Sequence, residues 1–323
     1  MRASFAAVFP GQGSQSVGML SAWAEGQPVI AQTFREASEA LGYDLWRIVS
    51  EGPDAELNRT EVTQPAMLAA GVSAWRVWQA EGGPMPLCMA GHSLGEYTAL
   101  VCAGSIDFAD GVRLVAERGR LMQAAVPEGQ GAMAAVLGLE DDVVRAACLD
   151  ASQGTEVVEA VNFNSPGQVV IAGSAAAVAR ASALLAERGA KRVVPLPVSV
   201  PSHSSLMREA AEKMAKVLES VEIRSPAIPV LHNVDAAEHA DPAALRAALV
   251  RQLHSPVLWV DSVRAMRARG AKALVEFGPG KVLVGLAKRI ARELSAYPVF
   301  DAATFETAMH ATKEPDAGIV NTA

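Results

Sequence analysis

A serine stands between two glycines in Gly91-His92-Ser93-Leu94-Gly95. The preceding run, Met85 to Ala90, is apolar and strand-like, and Leu94 to Cys102 has helical character. That order is the sequence form of a nucleophile elbow, in which the serine occupies a strained strand-to-helix turn and small neighbours avoid collision. A hydroxyl placed there lies at a helix N-terminus, where backbone N–H groups and the dipole favour a developing oxyanion. A tight turn without chemistry can share the same five residues; the flanking strand and helix favour the elbow.

A serine hydroxyl is a weak nucleophile until a base takes its proton. The chain has six histidines. His92 is adjacent to the serine, and consecutive side chains at an elbow diverge, so a supporting place is expected for it. His239 lies in a polar loop and His310 near the chain end, both expected in solvent. His203, His232 and His254 remain. His203, in Val200-Pro201-Ser202-His203-Ser204, falls where the chain passes between two units, and such junctions carry catalytic side chains. His232 follows a buried strand and reads equally well as a core histidine. No acid occupies the place of an α/β-hydrolase triad member; Asp141, Asp142, Glu156 and Glu159 fall in the inserted segment's helix and edges. The base is therefore expected to be oriented by a backbone carbonyl, which fixes its tautomer without adding charge.

Arg118 stands three and four residues from Leu114, Val115, Leu121 and Met122 on a helix read over Phe108–Ala125, which puts it on the apolar face. Arg113, Glu117 and Arg120 share the polar face and can pair with one another. A core-facing arginine keeps its charge and needs an anion. Two readings stand: an internal salt bridge or snorkelling side chain, and a bidentate clamp for a substrate carboxylate. Gly11-Gln12-Gly13-Ser14-Gln15 follows the first strand but fails the dinucleotide pattern, since Ser16 replaces the third glycine. Such a turn is better placed to bring a backbone N–H beside the serine, paired with that of Leu94, as an oxyanion hole.

Elements of an α/β protein surround these residues. Strands are read at Ala3–Phe9 and Met85–Ala90, and helices at Val29–Leu41, Gln64–Gln79 (capped by Thr63) and Phe108–Ala125. From Gly131 the order becomes β-α-β-β-α-β, the pattern of a ferredoxin-like unit inserted into the larger one. After it come a helix over Ser205–Ser220, a strand at Ile228–Leu231, helices at Pro242–Leu253 and Val257–Arg269, and a buried strand at Ala273–Phe277. Gly278-Pro279-Gly280 then leads into a helix ending near Leu294. The expected domains are 1–128 with 199–312 as a discontinuous large unit and 129–198 as the small one. Residues 313–323 read as a frayed tail.

The 323-residue chain is 50% hydrophobic, with a formal net charge of −7, which argues against general nucleic-acid binding. Three cysteines are too few and too irregular for a disulfide framework or a zinc site. No segment approaches the ~18 apolar residues of a membrane span, and the glycine-rich turn comes too early for a signal peptide, so a cytoplasmic protein is expected.

Taken together, these segments resemble the bacterial malonyl-CoA:acyl-carrier-protein transacylases, within the acyltransferase family of fatty-acid and polyketide synthesis. The residues that carry the resemblance are Phe9 to Gln15, Gly91 to Tyr97, Arg118-Gly119, Val161 to Gln168, Pro201-Ser202-His203, Arg251-Gln252-Leu253 and Gly278 to Lys281, covering the chain to about Leu294. The resemblance implies a hydrolase-like α/β large domain with a parallel sheet and an inserted ferredoxin-like subdomain, the active site lying between them. It implies Ser93 as nucleophile, His203 as general base and acid, and Arg118 as partner of the malonyl carboxylate. The N–H groups of Gln12 and Leu94 would form the oxyanion hole, and the backbone carbonyl of Gln252 would orient His203. Asn162 and His92 would support the site.

The implied reaction is ping-pong transfer of malonyl from malonyl-CoA, through a malonyl-serine ester, to the phosphopantetheine thiol of acyl carrier protein. No metal or redox cofactor is implied, coenzyme A entering as part of the substrate, and a monomer is expected. The alternative within the family is a discrete acyltransferase serving a polyketide synthase, on which Ser202 is ambiguous. A serine hydrolase and a non-enzymatic docking subunit are disfavoured by Arg118, by the missing acid and by the intact Ser, His and Arg set. Because the carrier is acidic in this family and this chain is too, docking is expected at a local basic cluster: Lys191-Arg192, or Lys288-Arg289 with Arg292.

Overall fold

A computed structural model describes residues 4–127, 129–198 and 200–313. Its nine strands form two sheets among the described residues. The strands are β1 (Phe5–Phe9), β2 (Cys88–Gly91), β3 (Gly131–Leu137), β4 (Val158–Ser165), β5 (Gln168–Ser174), β6 (Arg192–Pro195), β7 (Val230–Leu231), β8 (Ala273–Phe277) and β9 (Ser295–Val299).

The larger sheet has the order β7-β2-β1-β8-β9, and each of its pairings is parallel. Every residue of β1 is buried, as expected for a central strand covered by helices on both faces. On one face the helix Thr60–Ala80 is buried along most of its length and sets Trp75 and Trp78 edge-on against Phe277. It begins earlier than the sequence suggests. Pro65 lies inside the helix, and Thr63 Oγ1 donates to Leu57 O at 2.6 Å instead of capping.

The smaller sheet, β4-β5-β3-β6, pairs antiparallel at every contact. Helices Asp141–Ala151 and Ala175–Glu187 cross over it, so β5 lies between β3 and β4, and β3 between β5 and β6. This is the ferredoxin-like arrangement expected from the β-α-β-β-α-β order. The smaller sheet is tied to the segment before the helix Trp259–Ala268, where Val257 N donates to Val161 O at 2.8 Å and Phe163 N to Val257 O at 3.0 Å.

The short helices Ser21–Ala24, Leu45–Glu51 and Asp54–Leu57 escape the sequence reading, and so do two later elements. The edge strand β9 reads Ser-Ala-Tyr-Pro-Val, and Pro298 is tolerated only because nothing pairs on its outer side. The helix Ala302–Lys313 follows, with Phe305 packed on Trp23 and Trp78. Lys313, expected in the tail, belongs to that helix, and the rest of the expected 313–323 tail lies outside the described residues. Buried Glu276 accepts from Leu283 N at 3.1 Å and Val284 N at 2.8 Å, so it caps the helix Val282–Ile290. Burial pushes its carboxyl up to about 7.

Candidate active site

Ser93 joins β2 to the helix Leu94–Cys102 with φ 52° and ψ −111°. That backbone needs its glycines. A Cβ on Gly91 would stand 1.8 Å from the Gly95 carbonyl carbon, and one on Gly95 would stand 2.1 Å from Phe9 O. Strain of this kind persists only where the surroundings over-determine it. Here Asn233 clamps the turn: its Oδ1 accepts from Ser93 N at 2.7 Å and its Nδ2 donates to Gly91 O at 2.7 Å. The serine hydroxyl is thereby released from helix capping. Leu94, as the first helical residue, has an N–H with no intrahelical acceptor, and it lines the cavity with Gln12.

His203 also has a positive φ, 66°, and its N–H is held by Leu253 O at 3.0 Å. Its Nδ1 lies 2.7 Å from Gln252 O and its Nε2 lies 2.7 Å from Ser93 Oγ. A carbonyl only accepts, so the proton sits on Nδ1 and the Nε2 lone pair faces the hydroxyl. Burial, then the Arg118 charge, lowers the His203 pKa to about 3, with the Gln252 carbonyl opposing and His92 adding to the fall. The imidazole is a ready base near neutral pH.

Arg118 is 1% exposed, buried beside Leu114, Val115, Leu121 and Met122 as the helical spacing predicts. Its Nη1 donates to Gln64 Oε1 at 2.8 Å, and its Nη2 to Gln252 Oε1 at 3.0 Å and Ser93 Oγ at 3.2 Å. The guanidinium lies over the Tyr97 ring, 5.3 Å from its centroid. No carboxylate pairs with it among the described residues. That removes the salt-bridge reading. On the polar face Arg120 pairs with Glu117, but Arg113 pairs with Asp110 one turn earlier rather than with Glu117.

The other expected residues divide. Asn162 lines the cavity, and its buried Oδ1 has no hydrogen-bond partner among the described residues. His92 lines it too, with its Nε2 held 2.7 Å from Asn164 Oδ1. His232 is buried, with Nδ1 2.7 Å from Glu96 Oε1, and His254 is half-buried; neither touches Ser93 Oγ. His239 is paired with Asp235 at 3.0 Å instead of being left to solvent. Burial pushes the Cys148 thiol up to about 12 and that of Cys102 well above its usual value, which leaves no activated thiol at either position.

Gln64, Glu96, Asn233 and the Gln252 side chain are missed by sequence reasoning. Ser93-Leu94-Gly95-Glu96 has the form of a capping box, which is the available signal for Glu96. The structure uses those residues otherwise, with Asn233 taking the Ser93 N–H and Glu96 turned inward.

The cavity holding this set encloses about 550 Å³, and Val282 and Leu196 lie on its lining with the polar residues. Beyond it, the two basic clusters converge. Arg289 Nη1 donates to Gln168 Oε1 at 2.6 Å, Gln168 pairs across the sheet with Leu137, and Leu137 pairs with Arg192.

The acyl transferase domain family matches residues 7–311. The chain is 56% identical over 305 residues to the malonyl CoA-acyl carrier protein transacylase of Salmonella typhimurium, covering 94% of this chain and 98% of that one. Identity to the enzyme of the same name from Escherichia coli K12 is 58% over 292 residues, covering 90% and 94% of the two chains. Among solved structures, an acyl carrier protein S-malonyltransferase from Vibrio cholerae superposes with TM-score 0.92 at 57% identity, covering 94% of this chain and 99% of that one. A malonyl-transacylase in complex with its type II polyketide acyl-carrier protein superposes with TM-score 0.94 at 55% identity, covering 95% and 99%.

Proposed function

This chain belongs to the acyl transferase family and, within it, to the malonyl-CoA:acyl-carrier-protein transacylases, and on that premise we propose that Ser93 carries the malonyl group from coenzyme A to the carrier thiol. Malonyl transfer for fatty-acid synthesis is preferred over service to a polyketide synthase, in line with the names of the curated relatives.

The observation that carries the assignment of roles is a single oxygen. Ser93 Oγ lies 2.7 Å from a neutral imidazole nitrogen and 3.2 Å from a buried guanidinium that has no carboxylate partner among the described residues. In the malonyl group one methylene separates the carboxylate from the carbonyl under attack, so a partner for that carboxylate must stand close to the nucleophile. Arg118 is that partner, and removing an unpaired charge from water makes the incoming anion's contribution large.

The Ser93 proton passes to His203 Nε2 as Oγ bonds the thioester carbon. The tetrahedral oxyanion is received by the N–H groups of Gln12 and Leu94. His203 returns the proton to the leaving coenzyme A sulfur, and the malonyl ester remains on Ser93. The phosphopantetheine thiol then gives its proton to His203 and attacks the ester, and Ser93 recovers its proton. Negative charge bound at Arg118 offsets the field that depresses His203, so binding of the malonyl carboxylate strengthens the base that activates Ser93. Asn162 and His92, held by Asn164, shape the wall around the acyl group. No step of this scheme uses a metal or redox cofactor.

On this reading the chain divides into 1–128 with 199–312, and 129–198, with the acyl group held between them. The acidic carrier docks on the exposed edge formed by Lys191, Arg192, Lys288 and Arg289. The decisive test is mass analysis of the Ser93 peptide after mixing with malonyl-CoA alone. A malonyl adduct on that peptide supports the assignment, and an adduct elsewhere, or free malonate with no adduct, refutes it.

A further inference from the structure

Glu96 is 0% exposed and one turn from the nucleophile, yet it touches no substrate-facing atom of the scheme above. Its two oxygens accept three hydrogen bonds: from His232 Nδ1 at 2.7 Å, Asn233 N at 2.9 Å and Gln252 Nε2 at 3.0 Å. Two of these lead straight back to the site. Asn233 clamps the elbow through Ser93 N and Gly91 O. Gln252 holds His203 through its backbone carbonyl, and its side chain bonds both Ser93 O at 2.9 Å and Arg118 Nη2 at 3.0 Å.

The chemistry of these partners fixes the sense of the Gln252 amide. A carboxylate and a backbone carbonyl can only accept, and a guanidinium can only donate. The NH₂ end must therefore face Glu96 and Ser93, and the oxygen must face Arg118. A flipped amide would set NH₂ against the guanidinium and oxygen against the carboxylate. Without Glu96, the NH₂ end keeps Ser93 O as its one acceptor, and only that carbonyl and the guanidinium itself oppose the flip.

We propose that Glu96 is a positioning residue for malonyl selectivity: by fixing the sense of the Gln252 amide, it holds the Arg118 guanidinium where the substrate carboxylate is received. This rests on the reading of Arg118 as the carboxylate's partner. The role of Glu96 is geometric, and its charge is not required for it. In Glu96→Gln, the new oxygen can accept from Asn233 N and Gln252 Nε2 while the new NH₂ donates to His232 Nδ1. That needs the His232 proton to move to Nε2, and Nε2 has no hydrogen-bond partner among the described residues, so the move breaks no bond.

The test is the ratio of kcat/KM for loading Ser93 from malonyl-CoA to that from acetyl-CoA, in the full chain, for wild type, E96L, E96Q and R118A. E96L should lower the ratio by about ten- to a hundredfold, the scale of one hydrogen bond to a charged group, chiefly through the malonyl KM. E96Q should keep the ratio within about threefold of wild type. Should E96L fail to fold, Glu96→Asp, which withdraws the carboxylate by one methylene, takes its place with the same expected fall. Equal losses for the two substrates would leave Glu96 with a purely structural role and overturn the proposal, and so would an E96Q ratio as low as that of E96L. If R118A leaves the ratio unchanged, it is the carboxylate-partner reading that fails, whatever Glu96 does.

Discussion

Arg118 and Arg289 both donate to a glutamine side-chain oxygen, at 3.0 Å and 2.6 Å, yet their surroundings give them opposite uses. Arg118 is buried, unpaired by any carboxylate among the described residues, and hydrogen-bonded to Ser93 Oγ. Arg289 stands exposed on the outer side of the helix Val282–Ile290, beside Lys288. A charge in the interior acts strongly on whatever enters its cavity, because little water screens it. A charge on the rim is screened within about 8–10 Å by physiological salt and acts mainly on the rate of encounter. Chemistry and selectivity should follow the buried region, and carrier docking the exposed one.

The severest way to break that division is at the shared oxygen. Ser93→Ala should abolish acyl-enzyme formation, read as loss of the malonyl adduct by mass, with the thermal transition nearly unchanged. His203→Ala should slow both half-reactions by several orders of magnitude, as removal of the base does in serine enzymes. Retained activity in that variant, with loss in His232→Ala instead, would move the base to the wrong side of Glu96.

Next in size is the buried charge. Arg118→Ala should lower malonyl transfer by roughly 30- to several-thousand-fold, matching the about 2–5 kcal/mol cost of truncating one partner of a buried pair. Acetyl transfer should fall far less, since acetyl has no carboxylate; equal losses would make Arg118 structural. The same variant sharpens the electrostatics. With His203 held near 3 by burial and by Arg118, acetyl loading by the wild type should stay flat as pH falls from 7 to 5. In Arg118→Ala the depressing charge is gone, the His203 pKa rises, and loading should begin to fall at a higher pH. A pH–rate profile identical in both proteins would show that Arg118 does not act on the base.

The smallest effect belongs to the rim. Charge reversal at Lys288 and Arg289 should raise the KM for acyl carrier protein several-fold at low salt and lose that effect at high ionic strength. Loading from malonyl-CoA alone should stay near normal. A loss in loading equal to the loss in carrier transfer would mean that the helix supports the cavity and is no docking edge.

Local chemistry makes part of this legible from residues alone. Gly91 is required by a contact within its own strand–turn–helix, legible in five consecutive letters, whereas Gly95 answers to Phe9 O on the neighbouring strand. Arg118 falls in the interior because a helix repeats every 3.6 residues and its neighbours at three and four are apolar. The inserted unit follows from its order of elements. The strand β9 does not, because Pro298 and its short length hide an edge strand that only pairing with β8 reveals.

The sequence by itself determined the turn around Ser93 and the buried arginine, since each depends on residues within a few positions of one another. Tertiary structure alone decided who answers them. Asn233 reaches the Ser93 N–H across 140 positions, the Gln252 side chain reaches the Ser93 carbonyl across 159, and Gln64 reaches Arg118 across 54. Nothing in the neighbouring residues marks a glutamine or asparagine for such a role. Its amide can donate or accept in either sense, and only the packed partners around it choose which.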